Sequence, residues 1–146
     1  MPQGYEYRLP LDLEWSAAAG IEHEIEGFPY TRSGGIPDCY AWGTSWPPPQ
    51  GSGNYDQKLK TDKFKFTSPV GTFPQNKNGL YDMNGNVYQW IKEDYDENGQ
   101  GCLRGGSWAD EEPEGINLTN RFPSSKTDNF KCYGFRCVIA PVRQNR

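Results

Sequence analysis

Few side chains in this sequence could do redox or metal chemistry: Cys39, Cys102, Cys132, Cys137 and the single histidine, His23. Structural zinc wants four nitrogen or sulfur ligands, commonly with a C-x-x-C spacing. No C-x-x-C is present, Cys132 and Cys137 are separated by Tyr133 to Arg136, and His23 stands far from both among acidic residues. A cysteine-ligated metal is therefore not expected. Met1-Pro2-Gln3-Gly4-Tyr5 does not resemble an export signal, so the four cysteines read as thiols and the expected location is the cytoplasm. The acidic set Asp110, Glu111, Glu112 and Glu114 reads as a solvated loop.

The elements that would position these groups are short. A helix is predicted over residues 9–19, with Pro10 in its first turn, Asp12 at the positive end of its dipole and Gly20 as its stop. Leu9, Leu13 and Ala17 would share a face of it. Residues 21–61 are punctuated by Ser33-Gly34-Gly35, Pro47-Pro48-Pro49 and Gly51-Ser52-Gly53, which predicts a long ordered loop. A loop of that length is functional or is pinned by something besides its own backbone, so a bound cation is worth looking for. Strands are predicted at 70–73, 86–92, 103–108 and 133–140, with turns such as Asn84-Gly85 and Asn98-Gly99 between them. Alternation along Val87-Tyr88-Gln89-Trp90-Ile91 puts Tyr88 and Trp90 on one face and Gln89 on the other, with Trp90 in the core.

Composition agrees with such a chain. Trp 5, Tyr 9 and Phe 7 together outnumber Leu, Ile and Val, and Gly 17 with Pro 12 supplies many turns. That excludes a helical bundle and predicts a core of a few bulky rings. At 146 residues the chain reads as one domain, 1–146. A net charge of -4 gives no attraction to polyphosphate, so nucleic acid is not an expected partner. No apolar run approaches the roughly 20 residues that span a bilayer, so neither is a membrane.

Seven ordered motifs carry a resemblance over nearly the whole chain. They are Tyr7-Arg8-Leu9-Pro10 with Leu13-Glu14-Trp15, then Ala41-Trp42-Gly43, Ser68-Pro69-Val70-Gly71, Asn78-Gly79-Leu80-Tyr81-Asp82-Met83, Gly85-Asn86-Val87 with Trp90, Arg104-Gly105-Gly106-Ser107-Trp108 and Gly134-Phe135-Arg136-Cys137. In these the chain resembles the formylglycine-generating enzyme family, also called sulfatase-modifying factors. The resemblance implies an α+β, C-type-lectin-like fold with short antiparallel strands, one clear helix and long ordered loops. Relatives carry a further strand-rich portion before the Arg-Leu-Pro motif, so either the domain is trimmed at its start or the chain is a fragment of a longer one.

The same resemblance marks what is missing. Oxidase members carry two cysteines after the Gly-Gly-Ser-aromatic motif, and those positions are Asp110 and Gly115 here. Copper(I) needs soft thiolates, so copper is not expected although Ser107 is kept. Relatives in sulfoxide synthesis bind iron through histidines of a separate helical domain, and a single histidine cannot build that triad, so iron is not expected. Family analogues of Cys137 form a disulfide with the position that is Ala19 here, so that bridge is also lost.

Calcium is the cofactor the resemblance implies. Its first site maps to the side chains of Asn54 and Asp62 and the carbonyls of Tyr55 and Phe64. The second maps to Asp82, Gln89 and the carbonyls of Gly85 and Val87, with Gln89 in place of a glutamate. Calcium takes six to eight oxygens and can clamp an irregular loop, although Asn84-Gly85 alone equally signals a simple hairpin corner. Gly105 and Gly106 read as close-packing positions and Arg136 as part of a hydrogen-bond network. Similar domains occur attached to bacterial protein kinases and in phage-type variable receptors. The expected function is thus a non-catalytic recognition module for a peptide, protein or small-molecule ligand, within a longer multidomain chain. Its binding surface would be residues 108–129, with Trp108, Asp110, Glu112, Asn117, Asn120 and Arg121 facing the ligand. The alternative is a diverged oxidase of the same family, formylglycine-generating or carrying out a related metal-dependent oxidation, or one that uses Cys132 and Cys137.

Overall fold

The computed structural model describes residues 2–142. The chain opens with β1 (Tyr5–Arg8), whose antiparallel partner is the last strand, β6 (Val138–Pro141), with Tyr5 opposite Pro141 and Arg8 opposite Val138. Helix α1 (Asp12–Ala19) follows. Arg8 holds Glu14 by two hydrogen bonds of 2.7 Å, and Glu14 also accepts the Leu11 N–H at 2.8 Å, which ties strand to helix. Gly20 ends the helix at φ 93, a left-handed position that costs glycine little.

The helix begins three residues later than the sequence pattern predicts and buries a different face. Leu9 precedes a proline and is pushed out of helical space. Pro10 lends its carbonyl to the Lys92 N–H at 2.9 Å. The buried residues are Asp12, Trp15, Ser16 and Ala19, whereas Leu13 is exposed. The cause is electrostatic. Asp12 is fully buried and its carboxylate meets three guanidinium groups, those of Arg32, Arg104 and Arg121, while Arg121 also holds Glu24 at 2.6 Å.

Two short helices, α2 (Pro29–Arg32) and α3 (Pro113–Ile116), and a 3-10 turn, Gln57–Leu59, punctuate the loops. The main sheet has four strands: β2 (Tyr88–Asp94), β3 (Gly101–Arg104), β4 (Phe122–Ser124) and β5 (Tyr133–Phe135), in the order β4-β3-β2-β5. The β1-β6, β2-β3 and β3-β4 pairs are antiparallel, as expected, and the β2-β5 pair is parallel. No strand forms at 70–73: Gly71 turns at φ 75, its N–H is taken by the Asp82 carboxylate at 2.9 Å, and Val70 is 86% exposed. The strand predicted at 103–108 stops at Arg104, because Gly105 and Gly106 take positive φ. The strand predicted at 133–140 divides at Arg136 and Cys137 into β5 and β6, which join different sheets.

Trp15, Ala19, Ile21, Met83, Ile91, Cys102 and Leu118 form the main core, and a smaller cluster joins Tyr40, Tyr55 and Ile116. Trp90 is only half-buried. The central ring is Trp15, with the Arg104 guanidinium 4.3 Å above it.

Candidate functional site

The turn after β3 builds the first candidate corner. Gly105 runs at φ 94, where an added Cβ would lie 2.8 Å from the Met83 carbonyl, so the backbones pack closer than a side chain allows. The Gly105 carbonyl accepts the Gly85 N–H at 2.8 Å and the Asn84 Nδ2 at 2.9 Å. This fastens the Asn84-Gly85 turn to the strand that delivers Ser107. Ser107 is fully buried and gives its N–H and hydroxyl to Asp110 Oδ2, at 2.8 and 2.7 Å. The Tyr88 hydroxyl donates to Asp110 Oδ1 at 2.9 Å. Both Asp110 oxygens therefore serve internal donors, and Ser107 is not presented outward.

Position 115 adjoins this hub: a Cβ on Gly115 would sit 3.1 Å from Asp110 Oδ1. Cys132 is half-buried nearby, and burial pushes its thiol up, with the Asp110 charge adding to that and a hydrogen bond with Ser107 opposing it. Burial, reinforced by Asp110, also raises the Tyr88 hydroxyl. Cys137 is exposed, and all four cysteines are free. A raised thiol is a poor thiolate nucleophile or metal ligand at neutral pH.

The second corner is the loop from Asn54 to Phe64. Asn54 is fully buried and donates Nδ2 to the Phe66 carbonyl at 2.8 Å, yet its Oδ1 receives no hydrogen bond. Asp62 folds back over the same loop, with Oδ1 on the Phe64 N–H at 2.7 Å and Oδ2 on the Tyr55 N–H at 3.3 Å. An orphaned buried acceptor costs about 1–3 kcal/mol. Calcium takes amide, carboxylate and carbonyl oxygens, and Asn54 Oδ1, the Asp62 carboxylate and the Tyr55 and Phe64 carbonyls on this one short loop are donors of that kind. Among the described residues no group of three or more His, Cys, Asp and Glu could hold a metal, and the oxygens of this corner come from one carboxylate, one amide and the backbone.

The third corner contains Asp82, Gly85, Val87 and Gln89. Asp82 and Gly85 turn at φ 52 and 78. Gln89 lies beneath them, 3% exposed, with Nε2 directed at the Asp82 carbonyl at 2.8 Å. Asp82, Val87, Gln89 and Arg136 line a hollow of about 570 Å³. The network expected of Arg136 is present, since its Nε donates to Gln89 Oε1 at 2.6 Å.

The six residues expected to face a ligand are dispersed. Arg121, 2% exposed, belongs to the buried ionic cluster and faces no surface. Asp110 is committed to Ser107 and Tyr88 as described above. Trp108 is half-buried with its ring edge on Phe66, 5.1 Å between centroids, and its indole Nε1 has no partner. Glu112 is exposed. Asn117 and Asn120 do come together, on a hollow of about 430 Å³ that Asp38, Tyr40 and Glu114 also line. Neither Asp38 nor Glu114 has an ion pair among the described residues. Asp38 and Tyr40 were not legible as site residues, since the turn that presents Asp38, at φ 49, leaves no periodic mark.

Residues 3–141 match the family model described as a sulfatase-modifying factor enzyme 1-like domain. The chain belongs to that family. This sulfatase-modifying factor domain is 36% identical to the mouse (Mus musculus) protein named inactive C-alpha-formylglycine-generating enzyme 2, covering 93% of this chain and 44% of that one. It is 29% identical to the formylglycine-generating enzyme of Mycobacterium tuberculosis, over 92% of this chain and 52% of the other. Among solved structures, PvdO from Pseudomonas aeruginosa superposes with a TM-score of 0.68 at 27% identity, over 95% of this chain and 54% of that one. The chain thus spans about half the length of the relatives it matches, and its fold is that of the sulfatase-modifying factors. No helix among the described residues is long and apolar enough to cross a membrane.

Proposed function

We propose that this sulfatase-modifying factor domain is a non-catalytic, calcium-stabilised recognition module acting in the cytoplasm. The observation that carries the reading is the Asp110 hub: a carboxylate and a glycine stand where the family's oxidases hold copper through two thiolates. That carboxylate is spent on Ser107 and Tyr88. Ser107 is fully buried and cannot meet a substrate. The binding face is the hollow of Asp38, Tyr40, Glu114, Asn117 and Asn120. Its two carboxylates, Asp38 and Glu114, have no ion pair among the described residues and favour a basic segment of a peptide or protein by charge complementarity. Tyr40 supplies an aromatic wall, and Asn117 is locked by the Thr119 N–H and hydroxyl at 2.8 Å each, so the floor is rigid before any ligand arrives.

A lysine-rich peptide titrated calorimetrically is expected to bind at low salt and to lose affinity about two- to fivefold in Glu114→Gln, the size of an exposed charge pair. Equal binding by the lysine-acetylated peptide would overturn the charge-led reading.

Calcium at the Asn54 corner would be coordinated by Asn54 and Asp62 side chains and by the Tyr55 and Phe64 carbonyls. It would neutralise the Asp62 charge and satisfy the orphaned Asn54 oxygen. A ligand bound only by the folded chain stabilises by RT ln(1 + [L]/Kd), about 2.7 kcal/mol at a hundredfold excess over Kd. The expected result is a rise of several degrees in Tm on adding calcium after chelation. An unchanged midpoint would remove the ion from the proposal.

A further inference from the structure

The Asp82 corner is the second place where the family resemblance puts calcium, and there the residues do not fit an ion. Gln89 Oε1 accepts two N–H donors, Trp15 Nε1 at 2.9 Å and Arg136 Nε at 2.6 Å. Two donors on one atom fix which end of the amide is oxygen. The end turned towards the Asp82 carbonyl is therefore Nε2, which carries hydrogens and no lone pair for a metal. Arg136 Nη2 lies 2.9 Å from the Tyr81 carbonyl and 3.2 Å from the Asp82 carbonyl. Asp82 Oδ2 is taken by the Gly71 N–H at 2.9 Å.

Calcium needs six to eight oxygens converging on one point. Here the Gln89 amide presents hydrogens where a lone pair is needed, and Arg136 adds a fixed positive charge on the neighbouring Tyr81 and Asp82 carbonyls. We infer that the Gln89 amide, locked by Trp15 and Arg136 with its N–H end turned into the corner, leaves no place for a second calcium, so that this corner is closed without metal and the chain binds calcium at the Asn54 corner alone. Trp15 completes the link, joining the corner to the core through Gln89. Only the count of one ion rests on the calcium reading proposed above. The exclusion of metal at Gln89 stands independently of it.

The test is the number of calcium ions held by the full chain after equilibrium dialysis, read by elemental analysis. The native chain is expected to hold one, Asp62→Asn none, and Gln89→Glu one more than native. A glutamate keeps an acceptor for Trp15 and Arg136 and turns its second oxygen towards the corner. Asp82→Asn is expected to leave the native count unchanged, which gives a second readout should Gln89→Glu fold poorly. Two ions on the native chain, one left on Asp62→Asn, one lost from Asp82→Asn, or no gain by folded Gln89→Glu would each overturn the inference. No ion on the native chain together with one on Gln89→Glu would sink the Asn54 reading and uphold this one.

Discussion

Asp12→Ala is expected to leave the chain unable to hold its fold at room temperature. The change strands three guanidinium groups inside the protein, those of Arg32, Arg104 and Arg121, with Glu24 as the remaining carboxylate of the cluster. Removing one member of a buried pair costs about 3–5 kcal/mol, because the other charge stays buried without compensation. A typical domain has only about 5–15 kcal/mol in total. Losing a carboxylate shared by three partners therefore consumes most of the margin, and urea unfolding should show little or no cooperative transition. Asp12→Asn keeps the shape and some hydrogen bonds, and should unfold cooperatively at lower urea than native. A native-like midpoint for Asp12→Ala would show that the cluster is decorative.

The same cluster sets the response to acid. Burial pushes the Asp12 carboxyl up, but Arg104, Arg121 and Arg32 together outweigh it and hold the group below its ordinary range. Glu24 is lowered in the same way, burial being overcome by Arg121 and Ser16. Burial brings Arg104 down to about 10, still fully charged at neutral pH. A carboxyl depressed in the folded state contributes stability that is present above its unfolded value and is lost as pH falls through the folded one. With unfolded values of about 3.9 and 4.3, the melting temperature should stay level down to about pH 5 and fall below about pH 4. Asp12→Asn should show a shallower fall.

The second large effect concerns Asp110 and Gly115. Restoring thiols at both, as Asp110→Cys with Gly115→Cys, is expected to create a copper(I) site that the native chain lacks. The geometry favours it: a Cβ on Gly115 lies 3.1 Å from the Asp110 carboxylate, and Gly115 is not among the glycines at positive φ. Two facing thiolates suit copper(I), whereas a carboxylate does not. The double variant should withdraw about one copper(I) per chain from a chromogenic chelator, well beyond the native chain. Losing three hydrogen bonds to Asp110 should lower its stability by about 2–3 kcal/mol, so the comparison belongs at low temperature. The native chain, given copper(I), oxygen and a cysteine-containing peptide, should leave the peptide mass unchanged. Aldehyde formation by it would return the oxidase alternative.

Several of these features were legible in the sequence and others were not, for physical reasons. Gly20 as a helix stop, the Asn84-Gly85 turn and the Arg136 network depend on neighbours or on short motifs, and all three are present. Asp12, by contrast, meets Arg32, Arg104 and Arg121 across separations of 20, 92 and 109 residues, which no periodicity encodes. The helical face misled for that reason: a charged residue went inside, and Leu13 stayed out. Residues 70–73 look like a strand by composition, but Asp82 captures the Gly71 N–H and holds a turn there instead. The residue pair at 110 and 115 was legible only as a departure from the family pattern. That Asp110 would bind Ser107 and Tyr88 required knowing which strand brings Tyr88 alongside.

Because β1 lies against β6, and the Val142 N–H reaches the Gly4 carbonyl at 2.9 Å, the polypeptide enters and leaves at one doorway. A sequence fused to either side would start from the same edge of the molecule. A host protein could therefore accommodate the whole unit within one of its own surface loops without having its two halves forced apart.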